Sequence, residues 1–396
     1  MPLAELTKAR GSGRTQPYRA LKLLWRNLSI LIWGAIFLEL FAFTCYFVRK
    51  SLWDRADPAV EFVKKLPGDA YADRSWLVTV ARETPELTVR WNPYSYWRRK
   101  PFSGTYVNVD RNGIRRTWNT STTDPIKVYM FGGSTLFGVG ARDDYTIPSC
   151  LSKMLAQVFG ERVQVANYGQ NGYVNTQEMV DLLRELQAGN RPDVIIFYDG
   201  YNDTFSALQQ LVAGLPQNEF NRAAEFNILN PGRAHDLYLE VLKRSNVYKL
   251  MRGLRNRVVG EKPVPPLSPE RETQLVGDVI RIYLTNTTMI ESVAKTMGFT
   301  AVFYWQPSVY SRSTANLYEQ SWIQEAEHRF FTETYSAVKH SPLAAKPSFH
   351  DISDVFEGYE GTLYVDSAHT TERGNEIVAR RIYQDVAPLL KERIGP

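Results

Sequence analysis

From Ile126 onward the chain alternates between short apolar segments typical of buried strands and longer segments with helical spacing. The strand-like segments are 126–131, 163–167, 193–198, 300–305 and 349–352, and the helical ones are 146–159, 175–188, 270–297, 314–340 and 372–390. Because strands that alternate with helices pair in parallel through crossover connections, the pattern predicts an α/β fold. We expect a three-layer αβα sandwich with a mainly parallel sheet.

A serine stands directly after the first of these strands. Gly132 and Gly133 precede Ser134, and two glycines let the backbone turn tightly and leave the hydroxyl accessible. Ligands of open α/β sheets bind at the carboxyl ends of the strands, so this position suits a nucleophile. Serine and glycine are also ordinary turn residues, and Ser134 taken alone indicates no chemistry.

A carboxylate and an imidazole lie three residues apart near the C-terminus, at Asp366 and His369. A nucleophilic serine needs an imidazole to take its proton, and the imidazole needs an acceptor that fixes its tautomer. One loop would supply both groups to Ser134. The remaining histidines have no comparable neighbours and are interpreted as surface or packing residues: His235, His328, His340 and His350.

Two further strands end in possible hydrogen-bond donors for an oxyanion. The strand 163–167 leads to Gly172, and the strand 193–198 leads to Asn202. A glycine N–H and an asparagine amide would stabilise the charge of a tetrahedral acyl intermediate. Gly169 lies close to Gly172, so the choice between these two glycines stays open.

These four segments resemble the blocks of the SGNH hydrolases of the GDSL superfamily, which contribute Ser, Gly, Asn and His in that chain order. The blocks read Gly132-Gly133-Ser134-Thr135, Asn171-Gly172-Tyr173, Gly200-Tyr201-Asn202-Asp203 and Asp366-Ser367-Ala368-His369. The resemblance covers roughly residues 125 to 390. It implies a flavodoxin-like sandwich and an esterase activity.

The resemblance also implies a role for each matching residue. Ser134 would be the nucleophile, His369 the base and Asp366 its orienting acid. Gly172, Asn202 and the N–H of Ser134 would bind the oxyanion. The first block departs from the family pattern, because Gly133 stands where the family name has Asp. This departure weakens the block as a signature but removes no catalytic atom.

Other kinds of site are disfavoured by the residues themselves. The Gly-x-Ser-x-Gly elbow of α/β-hydrolases needs glycine at position 136, which is Leu136. The glycine-bearing stretch 133–140 lacks the lysine of a phosphate loop, and no Cys/His cluster has metal-ligand spacing. We therefore expect no cofactor and no metal. A net charge of +5 without a basic run interleaved with aromatics favours no nucleic-acid partner.

The N-terminal part of the chain predicts a membrane anchor. Residues 1–27 form a basic tail, and Leu28–Val48 is a nearly uninterrupted apolar run that would span roughly 30 Å as a helix. We expect a single-pass protein of the inner membrane with a cytoplasmic N-terminus and an extracytoplasmic catalytic domain. Basic residues on both sides make charge counting nearly a draw, so the orientation depends on family analogy. Glu39 inside the run indicates either contact with another membrane component or a protonated or snorkelling side chain on a lone anchor.

Two segments are predicted to flank the catalytic domain, which we assign to residues 125–396. Residues 49–124 should form an extension packed on that domain, and the aromatics at 91–97 would line a sugar-binding rim or attach a loop to the core. Residues 204–269 should form an insertion with a helix around 236–256, serving as a lid or partner surface. Gln306 ends a strand and would either cap it or face the substrate.

These features together predict a membrane-anchored serine esterase that removes acyl groups, in the first place O-acetyl groups, from a cell-envelope or exported polysaccharide. Three alternatives remain open. The same acyl-enzyme would serve an O-acyltransferase that modifies a glycan, and the same triad would serve a lipid ester or thioester hydrolase. The third alternative is a non-catalytic scaffold of an envelope assembly complex.

Overall fold

The computed structural model describes residues 16–53, 57–120, 125–228, 242–259 and 267–394. Its contacts divide the chain into two units. The smaller unit comprises Met1–Asp57 and Ala224–Val264, and the larger comprises Pro58–Ala223 and Pro265–Pro396.

Helices and strands alternate along most of the described chain. The helices are α1 (Gln16–Trp53), α2 (Pro58–Lys65), α3 (Leu77–Glu86), α4 (Ser134–Phe137), α5 (Ile147–Phe159), α6 (Asn175–Gln187), α7 (Tyr201–Gln210), α8 (Glu219–Ile228), α9 (Asn246–Val259), α10 (Pro269–Met297), α11 (Leu317–Gln320), α12 (Glu325–Lys339) and α13 (Glu372–Ile394). The strands are β1 (Val89–Asn92), β2 (Tyr96–Arg99), β3 (Phe102–Ser103), β4 (Asn108–Val109), β5 (Ile126–Gly132), β6 (Val163–Asn167), β7 (Val194–Asp199), β8 (Thr300–Trp305) and β9 (Phe349–Asp351).

A five-stranded parallel sheet forms the centre of the larger unit, in the order β6-β5-β7-β8-β9. Numbered from its first strand this is the order 2-1-3-4-5, the doubly wound arrangement of flavodoxin-like folds. The α/β class and the parallel sheet are therefore confirmed. In such a sheet the order reverses beside the first strand, so the carboxyl end of β5 lies at the position where ligands of this architecture bind.

The sheet is apolar on both faces because helices cover both. Phe131, Phe197 and Phe303 stack in a row on one face, at centroid distances of 5.4 and 5.3 Å, and this face packs against α6, α10 and α12. The alternate strand residues, such as Met130 and Ile196, pack against α5 and α13. Strands that are buried on both faces of a sheet have nearly continuous apolar sequences.

The single helix expected at 314–340 is wrong. The chain forms the short α11, leaves the helical path after Gln320, and begins α12 at Glu325. Glu319 on α11 is buried, and its carboxylate accepts hydrogen bonds from the backbone N–H groups of Leu363 and Tyr364 at 2.7 and 3.0 Å. These bonds hold α11 against the loop that leads to His369.

The extension shares a core with the rest of the larger unit. Trp76, Val80 and Val107 lie in one buried cluster with Phe137 and Val365. Phe137 is the last residue of α4, which begins at Ser134, and Val365 directly precedes Asp366. The extension therefore packs against two segments that carry site residues.

The smaller unit contains one helix that is long and apolar enough to cross a membrane, over Leu21–Val48. A signal sequence would meet the same criterion. The unit also contains α9, which lies within the insertion that we predict at 204–269. The first part of the expected helix at 236–256, before residue 242, falls outside the described residues.

Candidate active site

Ser134 stands where β5 ends and α4 begins. The N-cap of α4 is Gly133, which has an extended backbone, and the Ser134 side chain is half-buried. Gln306, at the end of β8, is buried and accepts a hydrogen bond from the hydroxyl of Thr135 at 3.1 Å. Gln306 therefore holds the side chain of Thr135, the residue after Ser134, through a buried hydrogen bond.

Ser134, His369 and Asp366 form one hydrogen-bonded chain. Oγ of Ser134 lies 2.7 Å from Nε2 of His369, and Nδ1 of His369 lies 2.6 Å from Oδ2 of Asp366. With a proton on Nδ1 the imidazole donates to the carboxylate and its Nε2 accepts from the serine hydroxyl. This is the arrangement of a nucleophile, a general base and the acceptor that orients the base.

Asp366 is held in its ionised form by hydrogen bonds from its own loop. Its Oδ1 accepts from the backbone N–H groups of Ala368 at 2.9 Å and His369 at 2.8 Å. Burial acts to raise the pKa of Asp366, but the charge of His369 and these hydrogen bonds outweigh it, and the pKa lies below its ordinary value. A carboxylate that stays charged stabilises an imidazolium formed during proton transfer.

The loop that carries Asp366 and His369 is closed by a backbone hydrogen bond and attached to α7 through Ser367. The N–H of Val365 donates to the carbonyl of His369 at 2.8 Å, and the hydroxyls of Tyr201 and Ser367 lie 2.7 Å apart. Tyr201 directly precedes Asn202, so the second of these bonds links the third and last sequence blocks.

Nδ2 of Asn202 lies next to Gly133, which directly precedes Ser134, and Gly172 belongs to the loop between β6 and α6. Nδ2 of Asn202 donates to the carbonyl of Tyr173 at 2.8 Å, which uses one of its two N–H groups and fixes the amide. Gly172 has a φ of +72°, a conformation that favours glycine. The N–H of Gly169, the alternative donor, is taken by Oδ1 of Asn167 at 3.0 Å.

The extension supports the loop of Gly172, a relationship that the sequence analysis missed. Trp97 donates from Nε1 to the carbonyl of Asn171 at 2.8 Å, and the hydroxyl of Tyr173 donates to the carbonyl of Trp97. The side chain of Gln170 accepts from the N–H of Arg99 at 3.0 Å. The available signal was Tyr173 within the second block and Gln170 directly before it.

The sequence did not reveal a buried cluster of carboxyl groups next to Asn202, formed by Glu178, Asp199 and Asp203. Asp203 accepts from the N–H groups of Asn175 at 3.0 Å and Gly200 at 3.3 Å, which ties the turn of Asn202 to the start of α6. Burial and the charge of Asp199 raise the pKa of Asp203 to about 7, and the same two causes raise the pKa of Glu178 well above its ordinary value. The signal was the pair Asp199 and Asp203 flanking Asn202 in the sequence.

The other described histidines contact groups away from Ser134. His340 lies 2.9 Å from the carbonyl of Ser336, and His350 stacks on Tyr304. His235 lies outside the described residues. Within the described ranges, no group of three or more His, Cys, Asp or Glu side chains has an arrangement that could hold a metal ion.

The solved structures that are similar to this chain include lipolytic proteins of the G-D-S-L family and acetylxylan esterases. A lipolytic protein of that family from Desulfitobacterium hafniense is 10% identical, with a TM-score of 0.35 over 66% of this chain and 99% of its own. The lipase Lip_vut3 from a goat rumen metagenome is 14% identical, with a TM-score of 0.39 over 66% of this chain and 97% of its own. A catalytic mutant of an acetylxylan esterase from Geobacillus stearothermophilus is 14% identical, with a TM-score of 0.35 over 67% and 96%. A scan against protein-family models and a search of curated proteins give no match.

Proposed function

We propose that this chain is an SGNH-type serine esterase anchored in a membrane by α1. The observation that carries the proposal is the chain of hydrogen bonds from Ser134 through His369 to Asp366, with the amide of Asn202 beside the serine. A hydroxyl, a base, an orienting carboxylate and an oxyanion donor are what acyl transfer through serine requires.

The reaction follows from these positions. As Oγ of Ser134 attacks the ester carbonyl, its proton passes to Nε2 of His369, and the tetrahedral oxyanion is stabilised by Asn202 and the N–H groups of Gly172 and Ser134. The bond to the alcohol then breaks, and His369 returns the proton to the departing oxygen. A water molecule activated by His369 attacks the acyl-serine, which releases the carboxylic acid and restores the serine.

As the substrate we propose an O-acetylated polysaccharide of the cell envelope, with the larger unit on the extracytoplasmic side and the N-terminus in the cytoplasm. The support comes from the hairpin β1–β2, whose Trp97 contacts the loop of Gly172. Trp91 and Tyr94 on this hairpin are 68% and 79% exposed. Exposed aromatic rings beside a catalytic site suit stacking against sugar rings.

A lipid ester is the second candidate substrate, favoured by an apolar cavity beside the triad. The cavity has a volume of about 330 Å³ and is lined by Asp366 together with apolar side chains, among them Phe62, Val80 and Val139. The N–H of Val139 donates to the carbonyl of Ser134 at 3.1 Å, so the cavity lies within a few residues of the nucleophile. An alkyl chain of an ester would gain burial there.

The activity is tested with a fluorophosphonate probe on the full-length protein in detergent. We expect the probe to label the wild type and the control Ser103→Ala, whose serine is exposed on β3, but not Ser134→Ala. Equal labelling of Ser134→Ala would overturn the proposal. Acetate release from acetylated glycans, with and without a sugar acceptor, then separates a hydrolase from an acyltransferase.

The two substrate classes are separated by chain length. Ala81 lines the apolar cavity and is only half-buried, so Ala81→Phe should fill the cavity without disturbing the core. If a lipid ester is the substrate, this variant should lose turnover of a dodecanoyl ester and keep turnover of an acetyl ester. If a glycan acetyl group is the substrate, the wild type should turn over the dodecanoyl ester no faster than Ala81→Phe does, and both should release acetate equally fast.

A further inference from the structure

The one charged side chain in the apolar run 28–48 has partners on its own chain. Oε1 of Glu39 accepts from the N–H of Asn246 at 2.6 Å and from its Nδ2 at 2.8 Å, and Oε2 accepts from the N–H of Val247 at 3.2 Å. Both N–H groups belong to the first turn of α9, where backbone donors have no partner within the helix. Glu39 therefore determines where along α1 the helix α9 begins.

From Glu39 onward, α9 runs beside α1 in the same direction. A cavity of about 400 Å³ lies between the two helices, with Ala42, Cys45 and Tyr46 on one side and Asn246, Leu250 and Leu254 among the residues on the other. Ala42 is only 2% exposed. The part of α1 that follows Glu39 is therefore covered on one side by α9. The two helices must lie in the same environment, in the bilayer or outside it.

The sequence of α9 is amphipathic. Val247, Leu250, Met251 and Leu254 follow the helical spacing of a single apolar face, on which Met251 is 64% and Leu254 is 52% exposed. Arg252 and Arg255 are exposed on another side. Guanidinium groups are costly in hydrocarbon, whereas a basic amphipathic helix is stable at the headgroup level with its apolar face in the acyl chains.

We propose that Glu39 marks the outer boundary of the hydrocarbon core of the bilayer and that α9 begins at this boundary and lies beside residues 40–48 at the headgroup level of an anionic membrane. The membrane span then extends from Leu21 to Glu39, which as a helix measures about 28 Å, close to the hydrocarbon thickness of about 30 Å. Lys22 and Arg26 reach the cytoplasmic headgroups by snorkelling.

This boundary also accounts for the residues that follow Glu39. The segment 40–48 lies at the headgroup level, with α9 along one side, and it is rich in aromatic residues: Phe41, Phe43, Tyr46 and Phe47. Aromatic side chains of amphipathic character are enriched at this depth. The inference depends on α1 spanning a membrane and is independent of the chemistry of Ser134.

Depth measurements on α1 test the boundary. Single spin labels are attached at Ile30→Cys, Leu38→Cys and Phe47→Cys in the full chain carrying Cys45→Ala and Cys150→Ala, reconstituted in vesicles of phosphatidylglycerol and phosphatidylcholine. A span of Leu21–Glu39 has its centre at residue 30, whereas a span of Leu28–Val48 has its centre at residue 38. We expect the label at Ile30→Cys to be deepest and the one at Phe47→Cys to be accessible to an aqueous nickel chelate. A deepest label at Leu38→Cys would overturn the proposal.

Labels on α9 test the lipid contact. At Met251→Cys we expect a depth between those of the labels at Leu38→Cys and Phe47→Cys, and at Arg252→Cys exposure to the nickel chelate. Replacing Arg252 and Arg255 by Gln, or omitting phosphatidylglycerol, should make the Met251→Cys label several-fold more accessible to the chelate. A Met251→Cys label that is water-exposed in every vesicle, or deeper than the label at Ile30→Cys, would contradict the proposal.

The role of Glu39 has its own pair of variants. Glu39→Gln keeps an acceptor oxygen for the first turn of α9, whereas Glu39→Leu removes it. We expect the Met251→Cys label to keep its order in Glu39→Gln and to become mobile in Glu39→Leu. Equal order in both variants would show that α9 is held by other contacts.

Discussion

The amide of Asn202 lies against the Cα atom of Gly133, so closely that a Cβ atom on residue 133 would overlap its Nδ2. The contact occurs at the position where the first block departs from the pattern of the family name. In this chain the space that an Asp side chain would need is occupied by the amide proposed to bind the oxyanion. Glycine at position 133, which has no Cβ atom, therefore leaves room for the Asn202 amide.

Gly133→Ala and Gly133→Asp should lower turnover on the order of a hundredfold, because the added Cβ displaces the Asn202 amide from beside Ser134. The fold should survive, since the displaced atom is the end of a side chain. Turnover of an activated acetyl ester and the thermal unfolding temperature measure the two effects. Gly277→Ala is the control, because a Cβ at this exposed helical position meets nothing within 4 Å. Unchanged turnover of both variants would dissociate Gly133 from the oxyanion site.

Asn202→Ala should raise the activation free energy by about 3 kcal/mol, the typical effect of removing one oxyanion donor. The loss should appear in kcat, with KM nearly constant, because the bond strengthens only as the oxyanion forms. Asn112→Ala, in an exposed turn of the extension, is the matched control. A loss confined to KM would mean that Asn202 binds the substrate in its ground state.

Glu319→Ala should destabilise the larger unit by about 3–5 kcal/mol, because it leaves the buried Arg312 without its partner. Arg312 lies 2.6 Å from Oε1 of Glu319, and the same oxygen accepts from the N–H groups of Leu363 and Tyr364. Urea unfolding measures the effect. Glu376→Ala, which removes an exposed ion pair with Arg380, is the control and should change the free energy of unfolding by less than about 1 kcal/mol. A similar result for both variants would contradict the structural role of Glu319.

Periodicity was sufficient for the sheet and most of its helices, because β5, β7 and β8 are largely apolar and α10 and α13 are long and regularly spaced. The position of α11 was unpredictable, since it depends on hydrogen bonds that the N–H groups of residues 363 and 364, more than forty positions away, donate to Glu319.

The site residues were predicted from four separate sequence blocks. The sequence of these blocks does not indicate which other residues contact and support them. Tyr173 and Trp97 meet only because the extension folds back onto the second block. The close approach of Gly133 and Asn202 depends in the same way on the register of the neighbouring strands β5 and β7.

The carboxyl cluster below Asn202 should make the protein less stable as the pH rises. In an unfolded chain these carboxyls titrate near pH 4, whereas burial and Asp199 raise the pKa of Asp203 to about 7 and that of Glu178 well above its ordinary value in the folded protein. The folded state therefore binds more protons than the unfolded state above pH 4. The stabilisation is fully present below that pH and is lost as the pH rises through about 7, at up to about 1.4 kcal/mol per pH unit for each proton.

Glu178→Gln should weaken this pH dependence. The amide is neutral at every pH and can donate to Asp199, as a protonated Glu178 would in the folded protein. Urea unfolding between pH 5 and 8 should give a falling free energy for the wild type and a shallower slope for Glu178→Gln. Glu376→Gln, whose side chain is exposed, should follow the wild type. Parallel slopes for Glu178→Gln and the wild type would mean that Glu178 binds no additional proton in the folded protein.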